Sequence, residues 1–423
     1  FSHLSSPSLT FCGLAQVTPA DFAAFMKQHE AKLYAARAAP QPLSFAVRRP
    51  EHSPEGAVAI EGALKNAGVS PDAVQEVLMG SVLPAGLGQA PARQAAIAAG
   101  IPKSVPCTTV SKVCGSGMKS VMQAHDAIVA GSVDIAVAGG MESMTNAPYM
   151  LPNERAGARI GHQKVLDHMM LDGLEDAYDI APDGTRRSMG TFGEECAEKY
   201  QFTRDDQDAY AIASVTRAKM AADSGAFDWE IAPVTVKTRK GETVVTQDEG
   251  PQKIDPSKIP NLRAAFKKDG TITAASSSSI NDGAAALVLG RASEAEKLGF
   301  TPIARIVGHA AFAGEPGWFT TAPIYAKQKL AEQIGWSLND VDLFEINEAF
   351  AVVAMASMKE LGIDHEKLNV HGGAVALGHP IGASGARILV TLLGAMKARE
   401  AKRGIASICI GGGEATAIAV EMV

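Results

Sequence analysis

Short apolar runs alternate with longer amphipathic stretches along most of the chain after residue 55. Apolar runs of about four to eight residues are typical of buried strands, and apolar positions three or four apart are typical of helices. The first series of such elements predicts helices at residues 57–67, 92–99 and 118–130, and strands at residues 74–79, 108–113 and 134–138.

The same order of elements returns near the C-terminus. Helices are predicted at residues 327–334, 350–361 and 383–399, and strands at residues 341–346 and 406–410. The repeated order indicates an internal duplication of a βαβ-rich unit. Two copies of that unit predict an α/β protein with two mostly parallel sheets covered by helices.

A more polar stretch separates the two copies and predicts an inserted loop domain at residues 143–280, with a β-ribbon at residues 234–246. Large insertions of this kind usually shape substrate pockets. The N-terminal half then comprises residues 56–142 with 281–301, and the C-terminal half comprises residues 302–423. Residues 1–55 form an atypical N-terminal segment, in which residues 22–38 predict a short helix.

The composition excludes two kinds of partner. The chain has 423 residues, of which 46% are hydrophobic and 20% are charged, and this is enough apolar material for large cores. Its net charge of −7 argues against a nucleic-acid partner, which needs a basic protein face. No uncharged apolar run reaches the roughly 18–20 residues of a membrane span, so we expect no membrane partner.

The cysteines are spread widely, without a Cys-x-x-Cys pair, at Cys12, Cys107, Cys114, Cys196 and Cys409. An odd number at such spacing argues against a disulfide framework or a structural zinc site and favours a reducing compartment. The first residues also lack the pattern of a secretory signal. We therefore expect a cytoplasmic protein, with the mitochondrial matrix as the alternative.

Cys114 lies in the sequence Val-Cys-Gly-Ser-Gly, between a predicted strand and a predicted helix. The free N–H groups of a helix start lower the pKa of a thiol, and the thiolate attacks carbonyl carbons. Two alternatives are a cysteine that only packs and a dinucleotide-binding turn at residues 115–120. The second is disfavoured because Ser120 replaces the third glycine and Asp134 stands at the start of its strand.

Three further side chains lie near predicted strand ends. His379 stands between glycine and proline before a helix, where it can accept a thiol proton or polarise a thioester oxygen. Asn347 begins a helix, and Cys409 precedes three glycines whose N–H groups can bind an oxyanion. Each also has a structural interpretation as a cap or a packed side chain. A pseudo-twofold axis through the duplication would bring these three residues and Cys114 to one site.

Six segments resemble the thiolase family in order and spacing: residues 113–117 (VCGSG), 139–144 (GGMESM), 281–286 (NDGAAA), 347–350 (NEAF), 378–382 (GHPIG) and 409–413 (CIGGG). The resemblance runs from about residue 56 to residue 423. It implies a five-layer αβαβα fold, made of two duplicated βαβ-rich halves and an inserted loop domain that binds coenzyme A. It also implies a homodimer or a homotetramer.

The resemblance implies an acyl-CoA acyltransferase of fatty acid metabolism, which reversibly joins two acetyl-CoA molecules into acetoacetyl-CoA and CoA by Claisen condensation. Cys114 would carry the acyl group, His379 would activate it, and Cys409 would move the α-proton. Asn347 would hold a water that completes one oxyanion hole with His379. The N–H groups of Cys114 and Gly411 would form the other.

The family pattern also implies residues for the substrate. Ser278 matches a serine that contacts the pantetheine arm, Phe266 and Phe350 match apolar pocket positions, and Met189 matches a methionine of the acyl site. Phe319 stands where many short-chain members have a second methionine, so it reshapes the acyl pocket. Neither a metal nor a redox cofactor is expected, because the CoA thioester itself acidifies the α-carbon.

Three alternative functions remain at this point. A longer-chain 3-ketoacyl-CoA thiolase of fatty-acid β-oxidation uses the same residues, and a ketoacyl synthase shares the fold but needs no basic cysteine. Cys409 and the Asn-Glu-Ala-Phe segment favour a thiolase over the synthase. A non-catalytic CoA-binding scaffold is the third, because residues 1–55 do not show the opening strand of the family.

Overall fold

The computed structural model describes residues 31–38, 54–152, 154–238 and 241–423. Its α-helices are α1 Pro54–Ala67, α2 Pro91–Ala98, α3 Ser116–Val129, α4 Met189–Tyr200, α5 Arg204–Asp223, α6 Gly250–Lys253, α7 Ala292–Lys297, α8 Ala322–Ile334, α9 Ala351–Leu361, α10 Ala374–Leu377 and α11 Ser384–Ala398. Its strands are β1 Ala31–Ala38, β2 Glu76–Gly80, β3 Cys107–Val110, β4 Ile135–Ser143, β5 Tyr149–Met150, β6 Leu166–Asp167, β7 Glu175–Ile180, β8 Arg186–Ser188, β9 Ile231–Ala232, β10 Val234–Thr238, β11 Gly241–Val245, β12 Asp282–Arg291, β13 Ala304–Ala313, β14 Leu343–Ile346, β15 Arg403–Ile410 and β16 Glu414–Met422.

The main sheet has the strand order β14-β15-β16-β13-β1-β12-β4-β2-β3. Strands β14, β15, β16 and β13 form a C-terminal half-sheet, and β1, β12, β4, β2 and β3 form an N-terminal half-sheet. Strand β2 pairs in parallel with β3 and β4, and β14 pairs in parallel with β15. Strands β12 and β16 pair antiparallel to their neighbours, so the pairing is more mixed than the repeat indicated.

The side chains of each strand alternate between two cores. In β4, Ala136 packs with the central helices α3 and α11, whereas Val137 packs with the outer helices α1 and α2. In β15, Ala406 joins the same central core, whereas Ile405 packs with the outer helices α8 and α9. Because a strand presents successive residues to opposite faces, each half-sheet is covered on both sides. The five-layer αβαβα arrangement is thereby confirmed.

Strand β1 corrects two expectations about the N-terminal segment. The pattern predicts a helix at residues 22–38, but Ala31–Ala38 is a strand, and residues 22–30 lie outside the described residues. The sequence also shows no opening strand, whereas β1 pairs antiparallel with β12 along seven residues and meets β13 through Lys32 and Leu33. Ala, Lys and Leu favour helices locally, and pairing with a neighbouring strand overrides that preference.

The stretch between the two copies is built from short elements around α4 and α5. The predicted ribbon is present as the antiparallel pair β10 and β11. Helix α5 begins at a capping box, in which Thr203 and Asp206 satisfy each other's backbone N–H groups. Within the described part of the chain, no helix is long and apolar enough to cross a bilayer.

Candidate active site

A strained turn presents Cys114 between β3 and α3. Val113, the residue before it, has a φ of 45°, a left-handed backbone conformation that is uncommon for a β-branched residue. The hydroxyl of Ser116 holds the turn, because it accepts from the N–H of Lys112 at 2.8 Å and donates to the carbonyl of Val113 at 2.7 Å. These bonds stabilise the backbone of the turn that carries Cys114.

The two halves touch where α3 and α11 begin. A Cβ atom on Gly117 would lie 2.9 Å from the backbone nitrogen of Ala386 and 3.0 Å from the carbonyl oxygen of Gly382, so only glycine allows this approach. The buried carboxylate of Glu142 also joins the halves, because it accepts from the N–H groups of Val82 and Gly382, both at 2.9 Å. The turn that carries Cys114 therefore lies against the segment that follows His379.

Gly411, the first residue after β15, lies beside Cys114. Its backbone N–H faces the sulfur of Cys114, as does the N–H of Cys114 itself, and both lower the pKa of the thiol. Burial outweighs them and raises the pKa of Cys114 to about 11. The N–H groups therefore act in the expected direction, but burial has the larger effect, so the net pKa is raised where the sequence indicated a lowered one. The thiol is neutral at physiological pH.

Cys409 is fully buried two residues before Gly411. Burial raises the pKa of its thiol far above the ordinary value, and the neighbouring Cys114 raises it further. The charge of Lys327 acts in the opposite direction. The effect of Cys114 on the pKa of Cys409 indicates that the two thiols lie close together.

His379 is buried, and its tautomer follows from its hydrogen bonds. Its Nδ1 lies 2.6 Å from the Oγ of Ser384, whose single hydroxyl hydrogen is donated to the carbonyl of Pro380 at 3.0 Å. The proton between ring and hydroxyl therefore sits on Nδ1, and Nε2 keeps its lone pair. Burial, together with the charge of Arg387, lowers the pKa of His379 to about 3. The imidazole is thus neutral at physiological pH.

Asn347 connects His379 to the strand of Cys409. Its Nδ2 lies 3.4 Å from the Nε2 of His379, and its backbone N–H donates to the carbonyl of Ser407 at 3.0 Å. Its Oδ1 is buried and has no hydrogen-bond partner among the described residues. A buried amide oxygen of this kind needs a partner, and a water molecule beside His379 would supply it.

A cavity of about 340 Å³ opens beside the turn that carries Cys114. Its lining includes Val113, Tyr178, Met189 and Gly411. The volume is at the lower end of the range for small-molecule sites. The structure therefore places Met189 and Gly411 together at the cleft, next to the residue that precedes Cys114.

The predicted phenylalanines lie on the outer side of Cys409, in the same apolar cluster. Phe266 packs edge-to-face on Phe350, with ring centroids 5.7 Å apart. Phe319 is buried and packs edge-to-face on Phe192, with centroids 6.1 Å apart. These rings belong to the apolar surroundings of Cys409, and burial raises the pKa of its thiol.

Ser278 lies on a loop between the Asn347 and His379 segments. Both its N–H and its hydroxyl donate to the carbonyl of Ala349, at 3.0 and 3.1 Å. The neighbouring Ser279 accepts from the N–H of His379 at 3.0 Å. The structure thus brings Ser278 to the predicted site, where its hydroxyl keeps free lone pairs for a ligand.

Glu348 is a site-building residue that the sequence analysis did not single out. Its buried carboxylate accepts from the hydroxyls of Tyr210 and Ser214 at 2.9 and 2.8 Å, from the amide of Asn369 at 2.7 Å, and from the N–H of Val375 at 3.0 Å. These four bonds tie the Asn347 segment to α5 and α10. The sequence of segment 347–350 alone does not show that the side chain of Glu348 is buried.

Lys327 is the second such residue, and it is completely buried in α8. Its ammonium donates to the hydroxyls of Ser357 and Ser407, at 3.2 and 3.1 Å. Ser407 and Cys409 are two residues apart in β15 and therefore share one face of the strand. Burial lowers the pKa of Lys327 to about 7, and Cys409 opposes that shift. A positive charge thus lies within electrostatic range of the second thiol.

Replacing Lys327 with methionine should lower activity without lowering stability. An opposite charge shifts a neighbouring pKa by about one unit or more, so its loss should raise the pKa of Cys409 further, make the reactive thiolate harder to form, and reduce kcat roughly tenfold at neutral pH. The unfolded chain binds the Lys327 proton more tightly than the folded chain, so this lysine costs most stability below about pH 7. Thermal melting of Lys327→Met at pH 6 should therefore show an equal or higher Tm.

The matched control is Lys329→Met, which removes an exposed lysine of the same helix that donates to the carbonyl of Ala311. It should leave kcat unchanged. If Lys327→Met retains full kcat with an unchanged pH profile, its charge does not act on Cys409.

The comparisons with known proteins agree with this geometry. The family model described as "Thiolase, N-terminal domain" matches residues 46–293, and "Thiolase, C-terminal domain" matches residues 300–422. The chain is 54% identical over 369 residues to "Acetyl-CoA acetyltransferase 1" of Arabidopsis thaliana, covering 86% of this chain and 88% of that protein. It is 49% identical over 368 residues to "Acetyl-CoA acetyltransferase" of Cupriavidus necator, covering 86% of this chain and 92% of that protein.

Solved structures are similar over almost the whole chain. The acetyl-CoA acetyltransferase of Bacillus anthracis superposes with a TM-score of 0.89 at 39% identity, covering 94% of this chain and 99% of that chain. The Acat5 thiolase of Ascaris suum, solved in complex with coenzyme A, has a TM-score of 0.85 at 41% identity, covering 93% and 100%. The chain therefore belongs to the thiolase family and is an acyltransferase enzyme, and the ketoacyl synthase alternative is not supported.

Proposed function

We propose that this protein catalyses the reversible condensation of two acetyl-CoA molecules to acetoacetyl-CoA and CoA, through an acyl-enzyme on Cys114. The observation that carries the proposal is the N–H of Gly411 facing the sulfur of Cys114, with Cys409 two residues earlier on the same strand. The names of the relatives, acetyl-CoA acetyltransferases, support the same substrate. Coenzyme A bound to the similar Ascaris suum thiolase supports a CoA thioester.

In the first step, the sulfur of Cys114 attacks the thioester carbonyl while its proton moves to the Nε2 of His379. The lone pair of Nε2 is available because Ser384 holds the imidazole proton on Nδ1. Burial disfavours the charged thiolate and the charged imidazolium alike, so the transfer accompanies attack rather than preceding it. His379 then returns the proton to the departing CoA sulfur, and an acetyl group remains on Cys114.

In the second step, Cys409 passes its thiol proton to the Nε2 of His379, and the resulting thiolate takes a proton from the methyl carbon of a second acetyl-CoA. The carbanion attacks the acetyl carbonyl on Cys114, the carbon–carbon bond forms, and the Cys114 thiolate leaves and regains a proton from the Nε2 of His379. The N–H groups of Cys114 and Gly411 bind one developing oxyanion. The protonated Nε2 of His379, with a water held by the Oδ1 of Asn347, binds the other. Thiolysis uses the same residues in reverse.

Chain-length preference distinguishes this proposal from a longer-chain thiolase. The cavity beside the Cys114 turn is small, and Phe319 and Phe350 belong to the apolar cluster that contains Cys409. We expect the purified enzyme to cleave acetoacetyl-CoA, and we expect kcat/KM to fall roughly tenfold or more for a 3-ketoacyl-CoA with a six-carbon or longer chain. A spectrophotometric thiolysis assay across chain lengths measures this. Faster cleavage of the longer substrates would overturn the acetyl preference.

We also propose that the enzyme needs no cofactor for the reaction, with CoA thioesters as its substrates, and acts as a homodimer or a homotetramer in the cytoplasm or the mitochondrial matrix. Four cysteines, Cys107, Cys114, Cys196 and Cys409, are free thiols, and this fits a reducing compartment. The outermost strand β3 is an open edge of this chain's sheet, where the edge of a second copy could pair.

A further inference from the structure

A cluster of two histidines and one aspartate lies outside the active site, where the two halves meet. His125 and Asp126 belong to α3, and His309 belongs to β13. His125 lies nine residues beyond the start of α3, roughly 14 Å along the helix axis from the turn that carries Cys114. The proposed reaction uses none of these side chains.

The three side chains converge on one point. The Nε2 of His309 lies 2.9 Å from the Oδ1 of Asp126, and the Nδ1 of His125 lies 3.7 Å from the same oxygen. The two imidazole rings meet edge-to-face, with centroids 5.2 Å apart. All three potential ligand atoms lie within 4.8 Å of one another. Ligands at about 2.0–2.1 Å from a tetrahedral zinc ion lie roughly 3.4 Å apart, so small side-chain shifts would complete the geometry.

The buried ring of His125 gives an independent reason to expect a bound ion in this cluster. Its side chain is more than nine-tenths buried, and its Nδ1 has no hydrogen-bond partner among the described residues. A buried ring nitrogen that faces a carboxylate at 3.7 Å is too far for a hydrogen bond. A cation between the two groups would satisfy both.

The ligand types suit a transition metal. Two imidazoles and one carboxylate favour zinc and its neighbours over magnesium or calcium, which prefer all-oxygen ligands.

We propose that His125, Asp126 and His309 form a zinc-binding site that links α3 of the N-terminal half to β13 of the C-terminal half. The carboxylate of Asp126 is more than half exposed, and it gives the ion a path from solvent and room for a water as fourth ligand. The bound ion tethers the central helix, whose first turn follows Cys114, to the edge of the C-terminal half-sheet. The site is a structural clamp and is separate from the reaction.

Isothermal titration of the metal-free enzyme with Zn²⁺ tests this site, and Asp126→Asn is the main variant because it is mild and lies at the surface. We expect wild type to bind one zinc ion with an affinity that falls roughly 100-fold or more in Asp126→Asn, since even the loss of an outer-shell partner costs about 10- to 100-fold. His309→Gln should behave in the same way. Co²⁺ should give the absorption bands of a tetrahedral nitrogen and oxygen site.

Two controls distinguish zinc bound at this cluster from zinc bound elsewhere on the protein. His162→Gln removes an exposed histidine outside the cluster and should bind zinc like wild type. All variants keep Cys114 and Cys409, so zinc bound by thiolates would be retained in Asp126→Asn and would give sulfur-to-cobalt charge-transfer bands. Equal zinc affinity in wild type, Asp126→Asn and His309→Gln would overturn the proposal, as would no zinc binding by wild type at micromolar concentrations.

Discussion

Cys114→Ser should abolish transfer of the acetyl group from acetyl-CoA to the enzyme. The hydroxyl of serine is a far weaker acid than a thiol, and neutral His379 with its lowered pKa is too weak a base to ionise it. Loss of a nucleophile of this kind costs about 10⁴-fold or more in kcat. Incubation with radiolabelled acetyl-CoA, followed by acid precipitation, measures the label that remains bound to protein.

Cys107→Ser is the matched control for this experiment. Cys107 is also a partly exposed free thiol of the N-terminal half, but it lies in β3, where its sulfur faces the carbonyl of Val105. This variant should acquire label like wild type. Normal labelling of Cys114→Ser would show that another residue carries the acyl group.

Cys409→Ser should separate the two steps of the reaction. It leaves Cys114, His379 and the Gly411 N–H in place, so the enzyme should still exchange labelled CoA into acetyl-CoA at a rate near wild type. The condensation step should fall by roughly 10²- to 10⁴-fold, the range for loss of a general base. In heavy water, wild type should exchange the methyl protons of acetyl-CoA, and this variant should not.

Cys196→Ser controls for the change of a buried thiol to a hydroxyl. Cys196 lies in α4, within the same apolar cluster as Cys409, and burial raises its pKa to about 11. It should retain both CoA exchange and condensation. An equal loss of both activities in Cys409→Ser would mean that Cys409 supports the structure of the site and has no separate role in proton transfer.

Much of the fold follows from local patterns, because the repeated elements carry their own start and stop signals. Helix α3 is predicted at residues 118–130 and is found at Ser116–Val129, with Gly115 as its cap. Strand β1 is not predicted by such local patterns. Its Ala- and Lys-containing sequence becomes a strand only by pairing with β12 and β13, which lie far away in the chain. The pairing strands determine the conformation of β1, and the local sequence carries no information about them.

The candidate site also has features that local sequence predicts and features that only the folded chain shows. Cys114, His379 and Cys409 stand in glycine-rich junctions that the sequence displays, and Asn347 follows a predicted strand directly. Lys327 looks like an ordinary helical lysine, and its buried ammonium donates to Ser407, which lies 80 positions later. The raised pKa of Cys114 likewise comes from burial by both halves, whereas the sequence shows only the local helix start.

Peptide mapping by mass spectrometry tests most directly whether the two thiols share one site but differ in role. Cys409→Ser enzyme is incubated with acetyl-CoA, quenched in acid and digested. We expect one acetyl group on the peptide that contains Cys114 and none on the peptides of Cys107 or Cys196. An unmodified Cys114, or an acetyl group found on Cys409 in wild-type enzyme treated in the same way, would contradict the assignment.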